Sequence, residues 1–225
     1  MANHIGVIGA GVMGEALIAA LIRSGVNPAE ISFAEKRHDR AAELVSRYSI
    51  VHQEISTVAS QSSTILLVVK PQDMQATLQE LSPHISIDCL VISFAAGKTI
   101  ASISAGLGKA NPVVRVMPNT PALVKCGASA LFAGEHVTEE QKELAENILR
   151  AVGLTVWLQE EMAMDAVTAL SGSGPAYFFL MMEVLEKAGI SLGLPQDMAR
   201  LLTLQTAFGA AKMALESQED AATLR

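Results

Sequence analysis

Residues 4–15 read HIGVIGAGVMGE, an apolar run that passes through Gly9, Gly11 and Gly14 into a helix-like pattern at 12–24. No other stretch limits the possible folds as sharply. Between a strand and a helix, G-x-G-x-x-G has a physical job. Gly9 makes the tight turn, Gly11 leaves the backbone bare for a pyrophosphate, and Gly14 lets the helix pack close to the strand. The amides that open the helix, with its dipole, attract phosphate. Ile8, Gly9, Ala10, Gly11, Val12, Met13 and Gly14 are therefore expected to seat a dinucleotide.

The pattern that follows suits such a loop. Strands are predicted at 31–35, 64–69, 89–97, 112–118, 128–134 and 155–159, with helices at 37–47, 72–82 and 99–107 between them. Another helix starts at Thr138, where Gln141 completes a capping box, and Gly25 is expected to end the first one. TILLVV (64–69) is apolar throughout, as a strand buried on both faces must be. The expected fold class is α/β, a Rossmann-type parallel sheet with helices on both faces over residues 1–160. From 161 to 225 the pattern becomes all-helical, and AYFFLMM and LLTLQTAFGAAKMAL carry more apolar surface than a few helices can hide among themselves. That surplus predicts a homodimer or larger homo-oligomer.

Composition narrows the function. Half of the 225 residues are hydrophobic but only 4% are aromatic, so the core must be aliphatic. A net charge of -7 without any basic cluster argues against nucleic acid as a partner. Cys89 and Cys126 are far apart and the five histidines are scattered, so neither a disulfide framework nor a metal site is expected. The first residues show no secretory pattern, and no apolar run nears the roughly 20 residues of a membrane span, so a cytoplasmic protein is expected.

An acidic residue about 20 positions beyond the loop normally holds a ribose hydroxyl. Glu35 stands there; it favours NAD, while the following Lys36 and Arg37 offer charge for the phosphate of NADP, so both remain open. Ligands of open α/β sheets lie beyond the carboxyl ends of the strands. Val68, Val69, Lys70 and Pro71 are at one such end, Ala95, Ala96 and Gly97 at the next, and Met117, Pro118, Asn119 and Thr120 at a third. The small residues 95–97 admit a flat nicotinamide ring, and Lys70 is a cation at the mouth of an apolar strand. SGSGP (171–175) interrupts a helical stretch, where Pro175 is expected to kink the helix. It either opens polar groups toward a substrate or lets two helices cross closely.

IGAGVMG, VVKPQ, SFAAG, VVRVMPNTPALV and MDAVTALSGSGPAYFFLMMEVLEKAG, in this order along nearly the whole chain, resemble pyrroline-5-carboxylate reductases. The resemblance implies reduction of the C=N bond of 1-pyrroline-5-carboxylate by NADPH or NADH, and a dimer built from the C-terminal helices. It implies Gly9, Gly11, Gly14, Glu35, Lys36, 68–71 and 95–97 toward the cofactor, and Met117, Pro118, Asn119, Thr120, Ser171, Gly172, Ser173 and Gly174 toward the substrate. Members usually have a small or polar residue at the position of Glu35 and often an Asn near Ile55. A Ser-Pro-Gly-Gly-Thr-Thr loop for the substrate carboxylate is expected beyond Arg225. A protonated cyclic imine is already electrophilic, so no catalytic residue is assigned. A β-hydroxyacid dehydrogenase or imine reductase of the same plan would need a helix-borne lysine, with Lys187 and Lys212 as candidates. A non-catalytic dinucleotide-binding regulator is the third possibility.

Overall fold

A computed structural model describes residues 4–225. The chain divides into two compact units, the first closing at Gly172 and the second running Ser173–Arg225.

The first unit is built on one eight-stranded sheet in the order β3-β2-β1-β4-β5-β6-β7-β8. The strands are β1 (Ile5–Ile8), β2 (Ile31–Ala34), β3 (Val51–His52), β4 (Thr64–Leu67), β5 (Leu90–Ser93), β6 (Val113–Met117), β7 (Gly127–Ala133) and β8 (Gly153–Trp157). Helices α1 (Val12–Arg23), α2 (His38–Tyr48), α3 (Ile55–Gln61), α4 (Met74–Leu81), α5 (Ile100–Leu107) and α6 (Glu139–Arg150) connect them. β1, β2, β4 and β5 are buried at every position. Successive side chains feed opposite faces: Val7 and Leu66 pack with Leu17 and Leu21 of α1, while Ile8 and Leu67 pack with Val58 of α3 and Leu78 of α4. This two-sided demand is what made the strands continuous apolar runs in the sequence.

Chain punctuation behaves as local chemistry dictates. After α1, the Gly25 amide donates to the Ile22 carbonyl and the Val26 amide to that of Leu21, with Gly25 at φ +100°. This pair of bonds closes the helix in the Schellman manner. At α6, Thr138 and Gln141 form the reciprocal capping box.

Three features differ from the expectation. β6 and β7 are antiparallel, because residues 118–126 between them are too few for a crossover helix, which needs a dozen or more. β3 and α3 were not foreseen, since two residues of strand cannot show an alternation. Pro175 does not kink a helix: it stands in the first turn of α8, where its fixed φ and missing N–H are tolerated. Before it come α7 (Ala163–Val167) and a π-turn at Thr168–Gly172.

β8 ends the sheet, and on one of its faces Leu154 and Val156 are 67% and 48% exposed. In the second unit, α8 (Gly174–Ser191) and α9 (Gln196–Glu216) pack at Gly189, where an added Cβ would lie 3.3 Å from that of Ala199. A short α10 (Ala221–Leu224) follows. Phe178, Phe179 and Leu180 on α8 and Leu201 and Phe208 on α9 are 60–69% exposed. Among the described residues, no helix is long and apolar enough to cross a membrane.

Candidate functional site

The order of the sheet reverses at β1, whose neighbours β2 and β4 continue in opposite directions. Connections leaving neighbouring strands to opposite sides open a crevice at their carboxyl ends, the usual ligand position in such sheets. The glycine loop borders that crevice. Gly9 takes φ +90°, its amide donates to the Ala34 carbonyl at 2.9 Å, and an added Cβ would come within 2.6 Å of the Val68 carbonyl oxygen. A Cβ on Gly14 would collide with the Gly9 carbonyl. Gly11 is different: nothing lies within 4 Å of the place its Cβ would take. It is also the N-cap of α1, and no side chain caps that helix end. Bare backbone, open space and an uncapped helix N-terminus are what a pyrophosphate requires.

The loop is held from both sides. The Ala10 amide donates to Glu35 Oε2 at 3.1 Å, and the Ala10 carbonyl accepts from Arg40 Nε at 3.3 Å. Glu35 Oε1 accepts from the Arg37 amide at 3.1 Å and from Arg37 Nε at 3.3 Å. Arg40 also pairs with Glu15 on α1, which accepts from the Tyr48 hydroxyl at 2.9 Å. Burial alone would raise the Glu15 carboxyl, but hydrogen bonds from Arg40 and Tyr48 outweigh it and hold the group below the usual carboxylate range. Arg40, at the start of α2, is thereby tied both to the loop at Ala10 and to Glu15 at the base of α1.

A cleft of about 860 Å³ opens beside this loop, a volume suited to a cofactor. Of the residues predicted to bind cofactor, Ile8, Gly9, Gly11, Val12, Glu35, Lys36, Val68, Val69 and Lys70 line it. Ala10 and Gly14 are buried beneath the loop and Met13 packs on the core. Pro71 is exposed after β4; Ala95 is buried, while Ala96 and Gly97 are exposed just past β5, and these four lie outside the lining. The sequence reading assigned no cofactor role to a further wall: His52, Gln53, Glu54 and Ile55, the last noted only as a place where the family often has Asn, then Gln72, Asp73 and Thr77 at the start of α4. The first group sits on β3 and the entry to α3, the elements too short to read. The rule of strand carboxyl ends would have found it had β3 been recognised.

A second gathering lies at the end of β6. Asn119 Oδ1 accepts from the Ala128 amide at 2.9 Å, and Asn119 Nδ2 donates to the Ser171 carbonyl at 3.1 Å. Met117 packs against Gly172, where a Cβ would come within 2.5 Å of Met117 Cε. Residues 117–119 and 171–172 are thus brought together, with Pro118 half-buried and Thr120 exposed at the start of a 3-10 turn. Ser173 and Gly174 open α8 in the second unit. Nearby, the Arg115 guanidinium, 8% exposed, pairs at 2.6 Å with Glu161, which also accepts from the Ile100 amide at the start of α5. Lys187 pairs with Glu183 and Lys212 with Glu216, each within its own helix and well exposed.

Comparison with known proteins shows the family to which the chain belongs. Residues 161–225 match a family model described as pyrroline-5-carboxylate reductase dimerisation, and residues 4–97 one described as NADP oxidoreductase coenzyme F420-dependent. A pyrroline-5-carboxylate reductase of Pseudomonas aeruginosa is 46% identical over 223 residues, 99% of this chain and 82% of the relative. The solved pyrroline-5-carboxylate reductase of Coxiella burnetii superposes with a TM-score of 0.93 at 41% identity, covering 100% of this chain and 84% of the other. That of Plasmodium falciparum, solved with NADP bound, gives 0.88 at 28% identity, covering 100% and 83%.

Proposed function

Since the chain belongs to the pyrroline-5-carboxylate reductase family, we propose that it reduces 1-pyrroline-5-carboxylate to proline, with a reduced nicotinamide dinucleotide as hydride donor. One observation carries the reading: Gly11, bare and facing open space at an uncapped helix N-terminus, borders a cleft that runs on to the ends of β1 and β4.

When bound, the cofactor supplies the hydride that the imine carbon accepts; the C=N electron pair passes to the ring nitrogen, whose own proton makes it an amine. The chain's residues bind, orient and exclude water. Gly9, Gly11 and the first amides of α1 hold the pyrophosphate, and Glu35 with Lys36 faces the adenosine ribose. Val68, Val69 and Lys70, which line the cleft, border the nicotinamide end, and Pro71, Ala95, Ala96 and Gly97, outside its lining, are assigned to the same end. Met117, Pro118, Asn119 and Thr120 with Ser171, Gly172, Ser173 and Gly174 are assigned to the substrate side. Holding two reactants in attack geometry lowers a barrier by roughly 7–11 kcal/mol, so no nucleophile or acid–base pair is demanded. Lys187 and Lys212, each tied up by a carboxylate on its own helix, do not favour the reading as a lysine-dependent dehydrogenase. The helical segment matching the family's dimerisation model assembles the chain as a homodimer or larger homo-oligomer. The compartment in this reading is the cytoplasm.

The test follows NADPH and NADH absorbance with 1-pyrroline-5-carboxylate, using protein expressed from the full reading frame. Substrate-dependent oxidation is expected. A rate equal to the substrate-free control with both nucleotides would overturn the proposal.

A further inference from the structure

Glu35 lines the cleft where the adenosine ribose is assigned. Its side chain is 10% exposed and its carboxylate is not free to swing. Oε2 accepts from the Ala10 amide and Oε1 from the Arg37 amide, both at 3.1 Å, so two main-chain donors fix its place. The backbone there is fixed as well: the Gly9 amide donates to the Ala34 carbonyl at 2.9 Å, and His52 Nε2 lies 3.1 Å from the Glu35 carbonyl oxygen. A carboxylate offers about four acceptor sites. Three are used, by the Ala10 amide, the Arg37 amide and Arg37 Nε, which leaves one for a ribose hydroxyl.

For a 2′-phosphate this position is unfavourable. That group carries a charge near -1.5 to -2 at neutral pH. It would have to approach a carboxylate that the main chain prevents from withdrawing. The nearest guanidinium, that of Arg37, is already paired with that same carboxylate at 3.3 Å. Glu54 adds a second negative charge to the cleft wall, against which stand Lys36 and Arg37, the latter already committed to Glu35.

We infer that the adenosine end of the cleft selects NADH over NADPH, with Glu35 as the specificity-determining residue: clamped between the Ala10 amide and Arg37, it accepts from the ribose hydroxyl and repels the 2′-phosphate. The inference rests on the dinucleotide reading above and sets this chain apart from the Plasmodium falciparum relative solved with NADP bound. Removing the carboxylate would release Arg37, one residue from the end of the turn, to meet a phosphate instead.

The experiment measures Kd for NADH, NADPH, NAD+ and NADP+ on the wild-type chain by isothermal titration, with no substrate present. NADH is expected to bind at least tenfold more tightly than NADPH. Glu35→Ser is expected to reduce that ratio at least tenfold, through tighter NADPH and weaker NADH. Glu35→Gln, which keeps the size and removes the charge, should fall between the two. Circular dichroism checks that each variant folds, and the wild-type ratio decides the matter should a variant fail. NADPH binding as tightly as NADH, or a ratio unmoved in both folded variants, overturns the inference and leaves the dinucleotide reading intact. Binding of none of the four nucleotides overturns that reading and the inference with it.

Discussion

At Gly11 a side chain would meet open space, and at Gly14 it would meet the Gly9 carbonyl, so substitutions three residues apart should fail in different ways. Gly11→Val is expected to fold with a melting temperature close to wild type, because an apolar residue in place of an N-cap glycine costs only about 1 kcal/mol or less. Its nucleotide Kd should rise at least tenfold, as the branched side chain fills the space left for the pyrophosphate. Gly14→Ala should instead lose about 1–3 kcal/mol of stability through overpacking. Denaturant unfolding and nucleotide titration of the two proteins separate these outcomes. Gly9 combines both problems, a left-handed φ and a near neighbour in the Val68 carbonyl, and is a poor place to test binding alone. The backbone demands at Gly9 and Gly14 were legible in the sequence, because each follows from its position in the turn. The bonds to the Ala10 peptide were not: its partners Glu35 and Arg40 stand 25 and 30 residues away, and nothing in a linear pattern brings them together.

Elements meet through a few polar contacts whose loss should be measurable. Glu15 joins α1 to α2 through Arg40 and Tyr48, with its carboxyl held below the usual range. A carboxyl depressed in the folded state adds stability above its unfolded pKa, and that share disappears as pH falls through the folded value. Glu15→Gln is therefore expected to cost about 1–2 kcal/mol at neutral pH, less than a fully buried pair because the site is part-exposed. The gap between variant and wild type should narrow below the unperturbed value of 4.5. Urea melts at pH 7 and at the lowest pH where the protein stays folded measure both terms. Asn119 joins three segments: the turn after β6, the start of β7 and the π-turn at Thr168–Gly172. Asn119→Asp keeps the acceptor and removes the donor, leaving the Ser171 carbonyl facing a carboxylate. A loss of about 1–3 kcal/mol is expected, with the nucleotide Kd changed less than twofold. A large loss of nucleotide binding would place Asn119 in the cofactor cleft instead. That Asn119 spends both ends of its amide on main-chain partners was not readable from RVMPNTP, which suggested only a position at the mouth of a strand.

For the whole molecule, the alternation of apolar runs and helices made the first unit readable, because a sheet covered on both faces imposes a continuous apolar pattern. The reversal between β6 and β7 left a trace only in the shortness of the connection, and the pairing partner of a strand is not written in its own residues. The second unit is readable for the opposite reason: its apolar residues are too many to be covered by α8 and α9 alone. Scattering or analytical ultracentrifugation should show a dimer or larger. Phe179→Asp with Leu201→Asp, both on exposed positions at 60% and 69%, should shift the species toward monomer while leaving the first unit's nucleotide site intact. A double variant that sediments like wild type would move the interface elsewhere. The two borders of the sheet are unequal in a way that bears on handling. At one, β3 is only two residues long and offers little to extend. At the other, the five residues Gly153–Trp157 include neither lysine nor proline, the residues that commonly discourage strand addition, and two of the five, Leu154 and Val156, stand exposed. Strand addition between chains is therefore expected at the β8 flank before the β3 one, opposed by the repulsion of a net charge of -7.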